Sequence, residues 1–438
     1  MGKSYRPYLP DQEFLLPPSL RDWLPENHLV YFVSDVVDNL NLSAMDAVYG
    51  DEQRGQPPYD PRMMTKLLVY GYCVGLFSSR RIQQRLTEDI AFRVLAAGNA
   101  PNFRTISDFR KIHLATLAGL FEQVLKIALE AGAMKLGRVA LDGTKVKANA
   151  SKHKAMSYDR MKEKERQIRA EVRELLAQAE ATDAEEDAQS GADQRGDELP
   201  EELQRRETRL KKIREAKGAL EERARQKAEA ERKPAEEVKQ AKPADKDQFN
   251  FTDPESRIMK DGDGFVQGYN AQAAVEPAWQ FIVGQSVTPA ANDKEQVEPM
   301  VQVIEQQSGQ RPEGLLADSG YCSEKNLEHL ETAGESGHKI DAHIATGKQK
   351  HGAYQPCPRG RLPQNATRVE RMKRKLQTKA GRAVYAARKT IVEPVFGQIK
   401  QARGFRQFLL RGLVKVRGEW ALVCLTHNIL KLYRLCNE

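Results

Sequence analysis

Apolar residues recur at helical intervals through the first 135 positions. Between Pro25 and Leu42, the side chains of Leu29, Phe32, Val33, Val36, Val37 and Leu40 fall on one helical face. Pro57-Pro58-Tyr59-Asp60-Pro61 interrupts this pattern. Asp60 and Pro61 read as the cap and first residue of a second helix, running through Met63, Leu67, Leu68 and Tyr70 to about Phe77. Ser78 or Ser79 is placed to cap the next, which carries Arg80, Arg81, Arg85 and Leu86. Asn102-Phe103-Arg104-Thr105-Ile106 opens a longer helix with Leu114, Leu117, Leu120, Phe121, Val124 and Leu125 along it. Residues 1–135 are therefore expected to form an all-α domain. Its arginines suit helix-turn-helix DNA binding, and a purely structural helical domain is the alternative.

At Arg138 the pattern changes. Val139 to Ala148 predicts a β-strand that turns polar from Asp142 onward. Residues 152–247 are rich in Glu, Lys, Arg, Ala and Gln. Met161, Ile168, Val172 and Leu175 form one heptad-like stripe, and Leu203, Leu210, Ile213 and Leu220 another. This predicts an inserted antiparallel helical hairpin or short coiled coil, with disorder near 181–199 and 232–247. Strands are expected over Gly264–Val275 and Phe281–Thr288, then a helix over Glu295–Gln307. A strand over 314–318, a helix over Ser323–Leu330 and a strand over Ile340–Ala345 follow, with helices around 379–403 and 418–435. Residues 136–151 and 248–438 thus read as one α/β mixed-sheet domain, interrupted after its first strand.

Charge sharpens the picture. The net charge is +8, but from Arg359 onward there are 19 Lys and Arg against four Glu and no Asp, a local +15. A segment of that kind suits a polyanion such as DNA, since binding releases condensed counterions. The five cysteines are widely spaced without a C-x-x-C pair, which fits a reduced cytoplasmic protein better than a disulfide or zinc scaffold. No apolar run of membrane-spanning length occurs, and no signal-peptide or myristoylation pattern opens the chain, so no membrane association is expected. Asp261-Gly262-Asp263-Gly264 and the glycine at 268 lack the order of a nucleotide-binding fingerprint.

Three acids stand out. Asp142 and Asp318 each follow an apolar run and each has a glycine close behind. Alone, such an Asp is commonly a turn former. Two at neighbouring strand ends repel each other and call for a divalent cation between them. The third candidate is Glu393, the only acid between Glu370 and Glu419 and surrounded by basic residues. On an ideal helix Tyr385, Lys389, Glu393 and Lys400 share a face, although Pro394 must either kink that helix or start it. His338 and His343 lack ligand spacing and are expected to be surface or packed histidines. Asn292-Asp293, between a strand and a helix, reads as a helix cap. Trp420, Leu422, Leu425 and Leu430 read as core.

LDGTKVKANAS at 141–151, ADSGY at 317–321 and Y-x-x-R-K-x-x-V-E-P-V-F-G-Q-I-K at 385–400 together resemble DDE transposases of bacterial insertion sequences. They most resemble the group marked by a Tyr-Arg-Glu-Lys motif. NFRTISDFRK, TDPESRIMK and QGYNAQAAVE extend the likeness along nearly the whole chain. The resemblance implies a ribonuclease H-like catalytic domain with Asp142, Asp318 and Glu393 as catalytic, metal-binding acids. It implies two Mg²⁺ ions per site, with Mn²⁺ as a substitute, and double-stranded DNA contacts through Tyr385, Lys400 and a basic residue between them. A spacing of two residues from the Tyr selects Arg388, while a spacing of three before the Glu selects Lys389; both stand as candidates. The implied activity is cleavage at the ends of an element and strand transfer into target DNA, by a homodimer or larger assembly in a bacterial cytoplasm. The competing readings are a transposase-derived DNA-binding protein without catalysis, a scaffold built on the charged hairpin, and a general metal-dependent nuclease on the same fold.

Overall fold

The N-terminal helices form where the apolar spacing puts them. A computed structural model describes residues 19–49, 57–190, 201–231, 233–262, 264–333, 338–347, 357 and 360–437, the side chains of 178–203 excepted. First come α1 (Leu29–Asp38), α2 (Ser43–Asp46), α3 (Pro61–Cys73), α4 (Ser79–Glu88), α5 (Ile90–Ala96), α6 (Phe103–Ile112) and α7 (Leu114–Glu130). The Asp60 carboxylate caps α3 by accepting from the amides of Arg62 and Met63, and Pro61 is its first residue. Asn102 caps α6 in the same way. The single helix expected from Asn102 onward is in fact two, because α6 and α7 meet at His113 with a 70° bend. The buried His113 ring packs on Phe109 and meets the Tyr49 hydroxyl at 2.9 Å, so tertiary contacts override a continuous apolar stripe. No single described helix is long and apolar enough to cross a membrane. The bent pair α6 and α7 passes on length and composition, but its apolar residues lie in the core.

Next come β1 (Arg138–Lys147) and β2 (Ala155–Ser157), then the insertion with α8 (Tyr158–Ser190), α9 (Glu201–Ala230) and α10 (Ala235–Gln240). Met161 and Ile168 of α8 pack against Leu210, Ile213 and Leu220 of α9, as the stripes predict. Short strand β3 (Gln248–Asn250) pairs with β2 and closes the base of the hairpin. Disorder was expected where 181–190 continue α8 and where α10 forms; both stretches are rich in Ala and Glu, which are strong helix formers. Residues 191–199 and 232 lie outside the described part.

β4 (Arg257–Asp261), not foreseen, precedes β5 (Gly264–Val275) and β6 (Ile282–Thr288). Then follow α11 (Val297–Ser308), β7 (Gly314–Ala317), α12 (Glu324–Glu331) and β8 (Asp341–Ile344). The chain ends with α13 (Arg368–Gln377), α14 (Lys379–Ala386), α15 (Arg388–Gly397) and α16 (Leu413–Asn437). Among the described residues six strands make one mixed sheet. β1 pairs antiparallel with β5 and parallel with β7, and β7 pairs parallel with β8. The far edge of β5 takes β4 along one half and β6 along the other, both antiparallel. This mixed α/β arrangement is consistent with a ribonuclease H-like transposase fold.

One buried cluster runs from Val30 in α1 to Leu432 in α16, so the N-terminal helices and the sheet share a core. α16 joins them. Trp420 Nε1 donates to the Gln272 carbonyl, and the Asn428 side chain pairs with both backbone groups of Ile282. As expected, Trp420, Leu422 and Leu425 are fully buried.

Candidate active site

The sheet register sets the geometry. In the parallel pair, Arg138 lies opposite Gly314 and Ala140 opposite Leu316. Carried two residues beyond this ladder, the register aligns Asp142 with Asp318, whose charge acts on Asp142. Asp142 is not at the end of its own strand, as its polar sequel suggested, because β1 runs on to Lys147 paired with β5. Asp318 leaves the ladder and caps a tight turn at Ser319–Tyr321, its Oδ1 accepting from the Gly320 amide at 2.8 Å. Asp142 Oδ1 accepts from the Gly143 amide at 2.8 Å. Burial pushes the Asp142 carboxyl up to about 6, with the Asp318 charge adding to the rise, against the opposing pull of Arg388.

α15 brings the third acid. Arg388 Nη1 lies 3.0 Å from Asp142 Oδ2, and Nη2 lies 3.5 Å from Glu393 Oε1. Arg388 is nearly buried while Glu393 is half exposed (10% and 53% of the side chain). Lys389 is exposed, one turn before the exposed Glu393 on α15, as expected, but Tyr385 lies on the preceding helix α14. Ala387 separates the two helices, and Arg388, the first residue of α15, is buried. Pro394 neither starts α15 nor ends it. A proline there removes the donor for the Thr390 carbonyl; the Gln280 side-chain amide donates to that oxygen instead, at 3.1 Å. Tyr385, at the end of α14, is raised in pKa by burial, and the Asp318 and Asp142 charges add to this. Lys400 sits in a π-helical turn, Gln398–Ala402, and its Nζ donates to the Lys145 carbonyl at 2.7 Å, away from the acids.

Sequence reasoning missed Asp293. It does not cap α11, whose N-cap is Gln296. Its Oδ1 instead accepts from Asn270 Nδ2 and Gln272 Nε2, both at 2.6 Å, and its Oδ2 faces Lys145 Nζ at 3.8 Å. Side chains alternate across a strand, so Gly143 and Lys145 point to the face opposite Asp142. A side chain at Gly143 would come within 2.3 Å of Gln272 Nε2 and 2.7 Å of Asp293 Oδ1, so a larger residue there would displace these side-chain ends. A signal was present in the sequence: Asn270 and Gln272, polar and two apart, lie in a strand otherwise apolar enough to be central.

Carboxylate oxygens suit a hard divalent ion, and Asp142 and Asp318, aligned by the sheet register, offer them. Among the described residues no three acidic, His or Cys side chains converge closely enough to hold an ion, because the Arg388 guanidinium lies between Asp142 and Glu393. The carboxylates of Asp142 and Asp318 are donors of the kind a divalent metal takes, and Arg388 contacts both Asp142 and Glu393.

Residues 18–112 match the family model described as Transposase domain (DUF772), and residues 357–433 match that described as Transposase DDE domain. Each end of the chain is thus similar to a transposase domain. The second match contains Glu393 with Tyr385, Arg388 and Lys400, whereas Asp142, Asp293 and Asp318 lie between the two matched regions. Neither a curated protein nor a solved structure shows significant similarity to the chain.

Proposed function

We propose that this chain is a DDE transposase that cleaves DNA at the ends of an insertion sequence and joins those ends to target DNA. The observation that carries this reading is the juxtaposition of Asp142 and Asp318 by sheet register, with Glu393 held on the same arginine by a helix of the DDE match. Asp142, Asp318 and Glu393 would hold Mg²⁺, or Mn²⁺ in its place, with two ions per site. When bound, the metal supplies Lewis-acid stabilisation of phosphoryl charge and an activated hydroxyl. The chain's own groups do the rest. Asp142 must be ionised, which its burial opposes near neutral pH. Arg388, drawn off the acids, is placed to hold a phosphate beside the scissile bond, and Tyr385 and Lys400 to hold flanking ones. Exposed Lys389 and the basic C-terminal surface would meet duplex DNA further out. Arg80, Arg81 and Arg85 project from α4, and Arg104 from α6, so the N-terminal helices offer a second DNA contact. Joining two DNA ends requires at least a dimer in the active complex.

The test is cleavage of duplex DNA carrying the flanks of the protein's own coding locus, with Mg²⁺ or EDTA. The wild-type chain should cut at the boundary only with Mg²⁺. Asp142→Asn, Asp318→Asn and Glu393→Gln should bind and not cut. Binding without cutting by the wild type would instead favour a DNA-binding derivative. Hydrolysis without strand transfer would favour a nuclease.

A further inference from the structure

Asp293 is placed with unusual care for a residue outside the three-acid set. Two buried amides, Asn270 Nδ2 and Gln272 Nε2, converge on one of its oxygens. The other end of the Gln272 amide accepts from the Tyr321 hydroxyl. Tyr321 is fully buried and closes the turn that Asp318 caps. A continuous chain therefore runs from Asp293 through Gln272 to Tyr321 and the Asp318 turn. Asp318 Oδ1 and Asp293 Oδ2 also lie within 4 Å of one point above Gly320, at 3.0 and 3.7 Å. The Asn270 Oδ1 acceptor is buried without a partner beside this group. A helix cap needs none of these contacts. A group that must fix an oxygen ligand in place needs all of them, because ligating carboxylates depend on the hydrogen bonds behind them.

Resting on the transposase reading, we propose that Asp293 is a positioning residue of the active site, which sets Asp318 for metal through Gln272 and Tyr321. Lys145 Nζ, 3.8 Å from Asp293 Oδ2, balances part of its charge.

The experiment measures Mn²⁺ binding to the full-length protein by electron paramagnetic resonance, without DNA, for wild type, Asp293→Asn, Tyr321→Phe and the double variant. Asp293→Asn should weaken Mn²⁺ binding by about tenfold, as loss of a group supporting a ligand does. Tyr321→Phe should weaken it comparably, and the double variant should be no weaker than the worse single one. In cleavage assays the single variants should need more Mg²⁺ for half-activation, more of which restores much of the rate. A wild-type Mn²⁺ curve for Asp293→Asn overturns the inference. A weakened Asp293→Asn beside a normal Tyr321→Phe overturns the relay. If Asp293→Asn does not fold, Tyr321→Phe decides alone: weakened binding supports the relay and normal binding overturns it. Wild-type protein that binds Mn²⁺ but cuts no DNA removes the transposase reading, and the Mn²⁺ comparison still decides the role of Asp293.

Discussion

Arg388 Nη1 stands 3.0 Å from Asp142 Oδ2, and both side chains are largely buried. The guanidinium thus neutralises, in the metal-free chain, a carboxylate that burial would otherwise keep protonated. The same cation reaches Glu393. On the proposed function, a divalent ion and Arg388 would compete for these oxygens.

That competition predicts a metal-dependent stability defect. Arg388→Met leaves Asp142 without its counter-charge and should destabilise the chain by about 3 kcal/mol in EDTA. Millimolar Mg²⁺ should restore most of the melting temperature, because the ion replaces the lost cation. Thermal denaturation with and without Mg²⁺ measures this. An equal deficit in both conditions would show that the ion does not take the place of Arg388.

The raised pKa of Asp142 predicts a pH limb. Metal binding requires the ionised carboxylate, so below about pH 6 Mn²⁺ affinity should fall about tenfold per pH unit as a proton is displaced. Stability of the metal-free chain moves the other way. An acid whose pKa is raised on folding stabilises the fold below its ordinary value of 3.8, and that contribution is lost as pH rises through about 6. Mn²⁺ titrations across this range check the first statement, and Asp142→Asn should abolish the limb.

Gln280 and Pro394 should be coupled. Gln280→Ala leaves the Thr390 carbonyl without its donor and should cost about 1 kcal/mol. In the Pro394→Ala background only part of the cost should vanish, since an alanine amide at 394 can donate to Thr390 within the helix while Gln280 Oε1 is still lost as acceptor for Gln398 Nε2 and Lys431 Nζ. A double-mutant cycle by chemical denaturation reads the coupling. Additive effects would separate the two residues.

The two transposase matches are joined by a buried ionic group. The Glu419 carboxylate accepts from the amides of Leu409 and Leu410 and meets the Tyr72 hydroxyl, to which Arg110 donates at 3.1 Å. Arg110→Met strands a charge inside the core and should destabilise the chain by roughly 3–5 kcal/mol. Since Arg110 is in the N-terminal match and Glu419 in the C-terminal one, both ends should melt together. Hydrogen exchange should report faster opening in α3 and α16 alike. Loss confined to α3 to α6 would contradict this.

The sequence by itself determined most of the elements, though not β4, α10 or the break between α6 and α7. Local patterns suffice for that: Asp60 and Asn102 cap helices from one residue away, and the strands from Gly264 and from 282 are set by alternation and turn residues. The sequence also named Asp142, Asp318 and Glu393, although a spacing along the chain could not choose between Arg388 and Lys389. Only the tertiary structure shows that Arg388 is buried against Asp142 while Lys389 is exposed. It also turned Asp293 from an expected cap into the acceptor of two buried amides, which come from a strand more than 20 residues earlier. Caps and periodicity are short-range and legible in a sequence. Register, helix breaks and the pairing of buried charges depend on partners brought together by the fold, and these place the acids opposite one another with an arginine between them.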